Sequence, residues 1–330
     1  MRSKRVTIYY ILFSLLLVGF FLGDLLFGSI NISFSDLFRT QSGNDILLTF
    51  RLPKAIVALL AGIALSVCGL QMQTLFRNPL ADPYILGVSS GAGLGVALYL
   101  MGMSLANISL ENTILQTFGT AGAALAGAVV VTLLILYISG RVKSNLALLI
   151  FGVMLGFIVS AFVSLLQYTS NAHALKAYVL WTLGSFAALT NNQLIILSCL
   201  IFFGLIFSIA NIKNLNAILL GNEYAMGVGL DVKRIRNRVL ISTTLLVGAV
   251  TAFCGPIGFI GIAVPHIARF VFKSADHKVL IIGVILIGGG LTLCADILSS
   301  VITSSGVVPI NTMAALFGIP VILAIILKGK

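Results

Sequence analysis

The residues that could do chemistry in this chain are few, and they are not arranged as an enzyme site. The sequence contains no H-E-x-x-H motif, no G-x-S-x-G motif and no pair of carboxylates within one apolar segment. Its three histidines are scattered, and its four cysteines lie in apolar segments without metal-ligand spacing. The G-x-x-x-x-G-K-S/T loop that cradles phosphates is also missing, so any ATP that drives this protein binds another chain. We predict no catalytic residue, no metal and no cofactor.

The polar break R-N-P-L-A-D-P at 77–83 is the first candidate for a transport role. Asn-Pro and Asp-Pro disfavour helix before each proline and favour a turn. Gln71 and Gln73 bring amides to the end of the preceding apolar segment. Because lipid gives irregular backbone no hydrogen-bond partner, the break must face water or protein. It is either a tight cytoplasmic turn or a constriction in which Leu80 is an apolar plug.

The longest polar segment is Asn214 to Arg238. Its pattern predicts a short helix near 222–227, a glycine-rich turn and a second helix that Asp231 could cap. The basic run 233–238 is either a lipid-facing anchor or part of a docking site. A partner is plausible because several large apolar side chains would be costly to leave in water: Leu219, Leu220, Tyr224, Met226 and Val228.

Three more charged residues stand near the ends of apolar segments. Arg51 and Lys54 flank Pro53 and either snorkel to the membrane interface or donate hydrogen bonds to an acidic partner. Asp296 lies late in an apolar segment, where a carboxylate is expensive unless it is paired or near water. We therefore interpret it as a functional or structural anchor.

Membrane helices must position these residues. Hydrophobic residues make up 59% and charged residues 9% of 330, whereas a soluble domain carries about 25% charged residues. Runs of about 20 apolar residues can cross about 30 Å of hydrocarbon. The eighth of the predicted spans contains Pro265 and is expected to be a broken helix. We predict ten spans, at 7–28, 53–75, 85–103, 114–138, 146–168, 192–211, 239–257, 259–272, 279–300 and 310–327.

The charge distribution predicts the orientation. The N-terminus lacks a small-x-small cleavage site, so the first span is expected to remain. With both termini in the cytoplasm, 16 of the 20 Lys and Arg residues fall on inner segments. Only Arg39, Arg51, Lys54 and Lys176 remain outside, as the positive-inside rule requires. The net charge of +11 therefore indicates topology and contact with the lipid bilayer rather than nucleic acid.

A short internal repeat accompanies this pattern. A-G-I-A-L-S-V-C-G at 61–69 and V-G-A-V-T-A-F-C-G at 247–255 share Gly, Cys and Gly at one spacing, and a proline follows each final glycine by ten residues. The first copy is predicted to run inward and the second outward. Inverted repeats are common in transporters, although a match this short can also arise by chance.

Taken together, these segments resemble the FecCD family, the permease subunits of ATP-binding-cassette (ABC) importers for iron–siderophores, haem and cobalamin. The resemblance covers nearly the whole chain and keeps the family's order. The blocks that carry it are R-L-P-K at 51–54, Q-T-L-F-R-N-P-L-A-D-P at 73–83, L-G-V-S-S-G-A at 86–92, W-T-L-G-S-F at 181–186, L-L-G-N-E-Y-A at 219–225, G-F-I-G-I-A-V-P-H-I-A-R at 258–269 and A-D at 295–296.

The resemblance implies an all-α permease of the type II ABC importer fold, with ten transmembrane helices in two inverted-topology halves and one domain over 1–330. It implies a homodimer in the inner membrane, two ATP-binding subunits on the cytoplasmic side and a substrate-binding protein outside. The implied gate residues are Asn78, Leu80, Asn145 and Leu146. The implied docking residues for the binding protein are Arg51 and Lys54. The implied ATPase-coupling residues are Leu219, Leu220, Gly221, Glu223, Tyr224, Ala225, Gly229 and Val232.

Two departures from the family's pattern concern the docking site. A third arginine is usual where this chain has Ser300, and an acid is usual where it has Val308. Lys176 is a candidate substitute for the missing cation. The expected cargo is a ferric siderophore, with cobalamin and haem as alternatives. A second class, an ion-coupled secondary transporter, would need buried carboxylates along the route, for which Asp24 and Asp296 are nearly the only candidates.

Overall fold

The structure is a computed structural model that describes residues 2–27, 47–105, 113–142, 144–187, 189–302 and 308–328, and Arg39 lies outside these ranges. No strand occurs in the described ranges, and this confirms the predicted all-α class. The helices are α1 (Arg2–Leu26), α2 (Leu52–Phe76), α3 (Val88–Ala97), α4 (Thr113–Arg141), α5 (Asn145–Thr169), α6 (Ala172–Leu183), α7 (Asn191–Ala210), α8 (Ile212–Leu220), α9 (Asn222–Gly227), α10 (Val232–Cys254), α11 (Ile260–Phe272), α12 (His277–Val301) and α13 (Ile310–Lys328).

Four short helical pieces extend this set. A π-helical turn over Leu47–Arg51 leads into α2, and a 3-10 helix over Pro83–Leu86 precedes α3. A second π-helical turn, Leu98–Gly102, joins α3 to the short helix Met103–Leu105.

The predicted number of spans is confirmed within the described ranges. Eight helical stretches there are long and apolar enough to cross a bilayer. Two shorter apolar helices, Ile260–Phe272 and Ile310–Ala324, coincide with the predicted eighth and tenth spans. Helix α6 was not among the predicted elements, and with 12 residues it is too short to cross alone.

The seventh predicted span and the helix predicted before it are one continuous helix, α10. The Asp231 side chain accepts a hydrogen bond from the Arg234 backbone N–H at 3.0 Å, so the predicted cap is confirmed. The helix ends at Cys254, three residues before the predicted boundary, because Gly255 has a φ of 78° and Pro256 follows it.

The predicted break at Pro265 is wrong. Helix α11 runs through Pro265 without interruption, and the irregular backbone lies before it, over 255–259. A proline removes a single hydrogen bond from the helix ladder. The backbone hydrogen bonds of the neighbouring turns keep the helix continuous at Pro265. The preceding loop is fixed by the Gly258 N–H, which donates to the Asn311 side-chain oxygen at 3.1 Å.

The chain divides into two compact units. The first unit comprises Met1–Leu70, Ser185–Ser198 and Ile257–Lys330. Within it, α2 and α12 approach so closely that a Cβ added at Gly62 would lie 2.3 Å from the Gly288 carbonyl oxygen. The Thr292 hydroxyl, on α12, donates to the Ala58 carbonyl of α2 at 2.8 Å. Small residues and a polar bond therefore hold these two helices, as is typical inside membranes.

The second unit comprises Gln71–Gly184 and Cys199–Pro256. Here α3 and α4 are in contact through glycine, since a Cβ added at Gly127 would lie 2.1 Å from the Gly91 carbonyl oxygen. The buried Thr132 hydroxyl of α4 lies 2.8 Å from that of Thr244 on α10. The candidate gate residues belong to this unit: Asn78 and Leu80 follow α2, and Asn145 and Leu146 begin α5.

The two copies of the internal repeat have different local structures. Gly69 lies inside α2, where an added Cβ would be 1.8 Å from the Gly261 carbonyl oxygen. Gly255, its counterpart, ends α10 with a positive φ. The shared glycine thus serves close packing in one copy and helix termination in the other.

Candidate functional site

The loop that follows α2 is a tight turn built by Asn78. Its backbone N–H donates to the Gln73 carbonyl at 3.2 Å, and its side-chain oxygen accepts from the Leu80 N–H at 2.9 Å. Arg77 has a φ of 48°, which is uncommon for a residue with a side chain. Leu80 is 37% exposed at the tip of this turn. Of the two sequence interpretations, the turn is confirmed, and a gating role for Leu80 stays a prediction.

Asp82 fixes the way the chain leaves this turn. Its carboxylate accepts a hydrogen bond from the Tyr84 backbone N–H at 2.8 Å and caps the 3-10 helix Pro83–Leu86. Burial raises the pKa of the Asp82 carboxyl to about 6, although the hydrogen bond from Tyr84 opposes the shift. Gly87, with a φ of 77°, then turns the chain into α3.

Asn145, the second predicted gate asparagine, is bound to the end of α2. Its amide nitrogen donates to the Leu75 carbonyl at 2.7 Å, and its side-chain oxygen accepts from an Arg236 nitrogen at 3.4 Å. Leu75 lies three residues before Asn78 in the chain. The structure therefore places Asn145 against the end of α2, next to the loop that contains Asn78. The side chain of Leu146, beside it, is 65% exposed.

The segment predicted to contact an ATPase is formed by α8, α9 and the start of α10. Gly221, with a φ of 138°, separates the first two helices, and Gly229, with a φ of 83°, precedes the third. Glu223 is exposed in the first turn of α9. Ala225 is fully buried, so it supports this surface and does not form it. An exposed apolar patch covers the segment and consists of Leu219, Leu220, Tyr224, Met226 and Val228.

Arg236 is a functional candidate within the basic run 233–238, which the sequence left as either a lipid-facing anchor or part of a docking site. In the structure Arg236 is instead 5% exposed and donates to the carbonyls of Ser139 and Val142 at the end of α4. Helical periodicity contained the signal, since positions 236, 239, 240 and 243 share the buried face of α10.

The predicted docking cations also have intramolecular partners. Arg51 is 9% exposed, and its guanidinium donates to the Leu25 and Leu26 carbonyls at the end of α1, at 2.8 and 2.7 Å. The Lys54 ammonium lies 2.8 Å from an Asp296 carboxylate oxygen and 2.9 Å from the Ser300 hydroxyl. Both side chains therefore have partners within the chain, and the two sequence interpretations, snorkelling and docking, stay predictions.

A fourth charged side chain completes this charge cluster, which we define as Asp24, Arg51, Lys54 and Asp296. Asp24 is 4% exposed and lies within electrostatic reach of the other three. Two carboxylates and two cations balance one another in a region where unpaired charge is expensive. The anchor predicted at Asp296 is thus an ion pair with Lys54.

The two positions that depart from the family's pattern lie beside the charge cluster. Ser300 accepts a hydrogen bond from Lys54 where a third cation was expected. Val308 is held through its backbone, since its N–H donates to the Ser299 carbonyl at 3.1 Å and its carbonyl accepts from the Ser299 hydroxyl. Lys176 lies on α6, in the other compact unit.

Comparison with known proteins gives consistent matches along the chain. The profile of the FecCD transport family matches residues 15–328. The hemin transport system permease protein HmuU of Yersinia pestis is 36% identical over 321 residues, which cover 96% of this chain and 94% of that protein. The vitamin B12 import system permease protein BtuC of Salmonella typhi is 36% identical over 279 residues, covering 84% and 82%.

A solved structure agrees with these matches. An inward-facing conformation of a metal-chelate type ABC transporter has a TM-score of 0.87 to this chain at 27% identity. The match covers 97% of this chain and 99% of that one.

Proposed function

The chain belongs to the FecCD transport family, and on that premise we propose that it is the permease subunit of an ABC importer that carries a large metal chelate across the inner membrane. The family match over residues 15–328 carries this proposal. The names of the relatives HmuU and BtuC support a chelate of the haem or cobalamin kind. A ferric siderophore is our first candidate, on the breadth of the family resemblance, with haem and cobalamin as the alternatives.

The 212–232 segment is proposed as the docking site for an ATP-binding subunit. Five exposed apolar side chains lie on its short helices and on the turn that follows α9, and exposed apolar surface of this kind favours a protein partner. The chain has no phosphate loop of its own. ATP binding and hydrolysis in the partner would displace this segment and open a gate at Asn78 and Leu80. In this arrangement both termini lie in the cytoplasm, and two copies of the chain enclose one route.

The charge cluster changes how we expect the substrate-binding protein to dock. The Lys54 ammonium already pairs with Asp296, so an acidic partner would compete with Asp296 for it, and Arg51 is bound to the end of α1. Reversing either charge would therefore disturb the cluster as well as the interface. Asp296→Asn is the cleaner test, because it frees Lys54 without removing a cation. If Lys54 docks, this variant binds the substrate-binding protein more tightly; unchanged affinity would remove Lys54 from the interface.

Uptake into proteoliposomes tests the proposed function. The vesicles contain the permease and its ATP-binding subunit, with the substrate-binding protein added on the opposite face. We expect ATP-dependent uptake of one labelled chelate from a panel of ferric siderophore, haem and cobalamin. Uptake that ignores ATP but follows a pH gradient would instead support an ion-coupled secondary transporter.

A further inference from the structure

Two arginines connect the 212–232 segment with the loop at 77–80. Arg77 belongs to the loop, and its guanidinium donates to the Ile218 carbonyl, in the last turn of α8, at 3.1 Å. The same guanidinium faces Gly221, where an added Cβ would lie 3.2 Å from it. Because the last carbonyls of a helix have no partner within the helix, a cation there joins the loop firmly to α8.

The second connection begins on α10, in the second turn after Val232. Arg236 donates from one nitrogen to the Ser139 and Val142 carbonyls and from another to the Asn145 side-chain oxygen at 3.4 Å. Asn145 in turn donates to the Leu75 carbonyl at 2.7 Å. Leu75 is in the last turn of α2, directly before the loop. These hydrogen bonds connect α10 through two side chains to the base of the loop.

We propose that Arg77 and Arg236 are positioning residues that transmit displacement of the 212–232 segment to the loop at 77–80, with Asn145 as the intermediate on the second connection. This inference rests on the proposed function, because it assumes that an ATP-binding subunit moves that segment. It assigns Asn145 a mechanical role in addition to its predicted place at the gate. The Arg77 connection and the Arg236–Asn145–Leu75 connection run in parallel, and the two side chains of the latter act in series.

The arrangement gives a specific pattern of effects. Losing one of the two connections should lower the uptake per ATP hydrolysed by about tenfold, which corresponds to about 1.4 kcal/mol. Arg236→Gln and Asn145→Ala interrupt the same connection, so the double variant should be no worse than the poorer single variant. Arg77→Gln with Asn145→Ala interrupts both connections, and the two losses should multiply.

The test measures ATP hydrolysis, chelate uptake and co-purification of the ATP-binding subunit in the same proteoliposomes. Arg238→Gln is the matched control, since Arg238 is exposed on the same helix and the substitution removes the same charge. We expect the control to transport normally and the Arg236→Gln permease to hydrolyse ATP and retain its partner while transporting poorly. A purely structural role for Arg236 would instead reduce insertion or co-purification together with uptake.

Two results would overturn the inference. Normal uptake per ATP in Arg236→Gln and Asn145→Ala would do so, and so would equal further losses in both double variants. If Arg236→Gln inserts poorly, Asn145→Ala carries the test, because it leaves the bonds of Arg236 to α4 intact. Absence of ATP-driven uptake in the unaltered permease would overturn the proposed function itself. This result can be distinguished from failure of the inference alone, in which the unaltered permease and the variants all transport normally.

Discussion

Replacing Asp296 by asparagine should destabilise the permease, because it leaves the Lys54 ammonium without its ion-pair partner. The Asp296 side chain is 4% exposed and that of Lys54 20% exposed, so water cannot fully replace the lost carboxylate. Asparagine preserves the shape of the side chain and leaves the packing of α2 against α12 intact. The change therefore isolates the charge.

The magnitude follows from the geometry. At a separation of 2.8 Å, two unit charges attract by about 6 kcal/mol at an effective dielectric constant of about 20. Desolvation of both ions offsets part of this attraction, and breaking a buried pair by removing one partner costs about 3–5 kcal/mol. Asp24 remains within electrostatic reach of Lys54, which places the expected cost near the lower end, at about 3 kcal/mol.

Thermal unfolding of the purified permease in detergent measures this cost. At roughly 2 °C per kcal/mol for a chain of this size, Asp296→Asn should lower the midpoint by roughly 6 °C. Asp231→Asn is the matched control, because its ion pair with Arg234 is exposed and spans 3.8 Å. Asparagine can also cap α10, so the control should change stability by less than about 1 kcal/mol.

A double variant separates loss of the pair from loss of packing. Replacing both members by apolar residues, Lys54→Met with Asp296→Leu, leaves no unpaired charge on the pair and should recover most of the stability. The reasoning would be refuted if Asp296→Asn were as stable as the Asp231→Asn control. It would also fail if the double variant were as unstable as Asp296→Asn.

Three further predictions address the second compact unit. Gly127→Ala would place a Cβ 2.1 Å from the Gly91 carbonyl oxygen and should lower the free energy of unfolding by about 2 kcal/mol. Gly122→Ala, on the same helix with nothing within 4 Å of the added Cβ, should not destabilise the chain. Equal thermal unfolding midpoints for the two variants would contradict this. Since the folded-state pKa of Asp82 is raised from 3.8 to about 6, the folded chain holds the extra proton and stability should fall by about 3 kcal/mol as pH rises across that window. Asp82→Asn should flatten that dependence in midpoints measured from pH 4 to 8, and parallel profiles would refute it. Glu223→Lys should reduce uptake by about tenfold with normal membrane insertion, while Glu223→Gln, the uncharged control, should lose less; full uptake by the lysine variant would remove Glu223 from docking.

Hydropathy was sufficient to predict the membrane helices, because a span is specified by its own composition. The boundaries of α10 and α11 were less predictable. Sequence reasoning separated the helix that Asp231 caps from the span at 239–257, and it expected Pro265 to break another helix. In the structure the run belongs to the base of α10, and the backbone breaks at Gly255, where a positive φ is required. Helix α6 was missed because its 12 residues are too few for a span.

Among the site residues, those whose structure depends on sequence neighbours were predictable, and those whose partners are distant in the chain were not. The turn at Asn78 and the cap at Asp231 depend on neighbours two or three residues away, so the sequence predicted them. The partners of Arg51, Lys54 and Arg236 come from distant parts of the chain, and charge alone suggested lipid or a partner protein for all three. Their burial depends on tertiary packing that no local pattern specifies.

The central claim is that this permease moves a metal chelate with energy from ATP bound by a partner chain. Its most direct test is chelate accumulation measured together with ATP hydrolysis in reconstituted vesicles, with ATP and a pH gradient supplied separately. The account predicts accumulation that requires hydrolysable ATP and an unaltered 212–232 segment. Accumulation without the ATP-binding subunit, driven by a pH gradient alone, would contradict it.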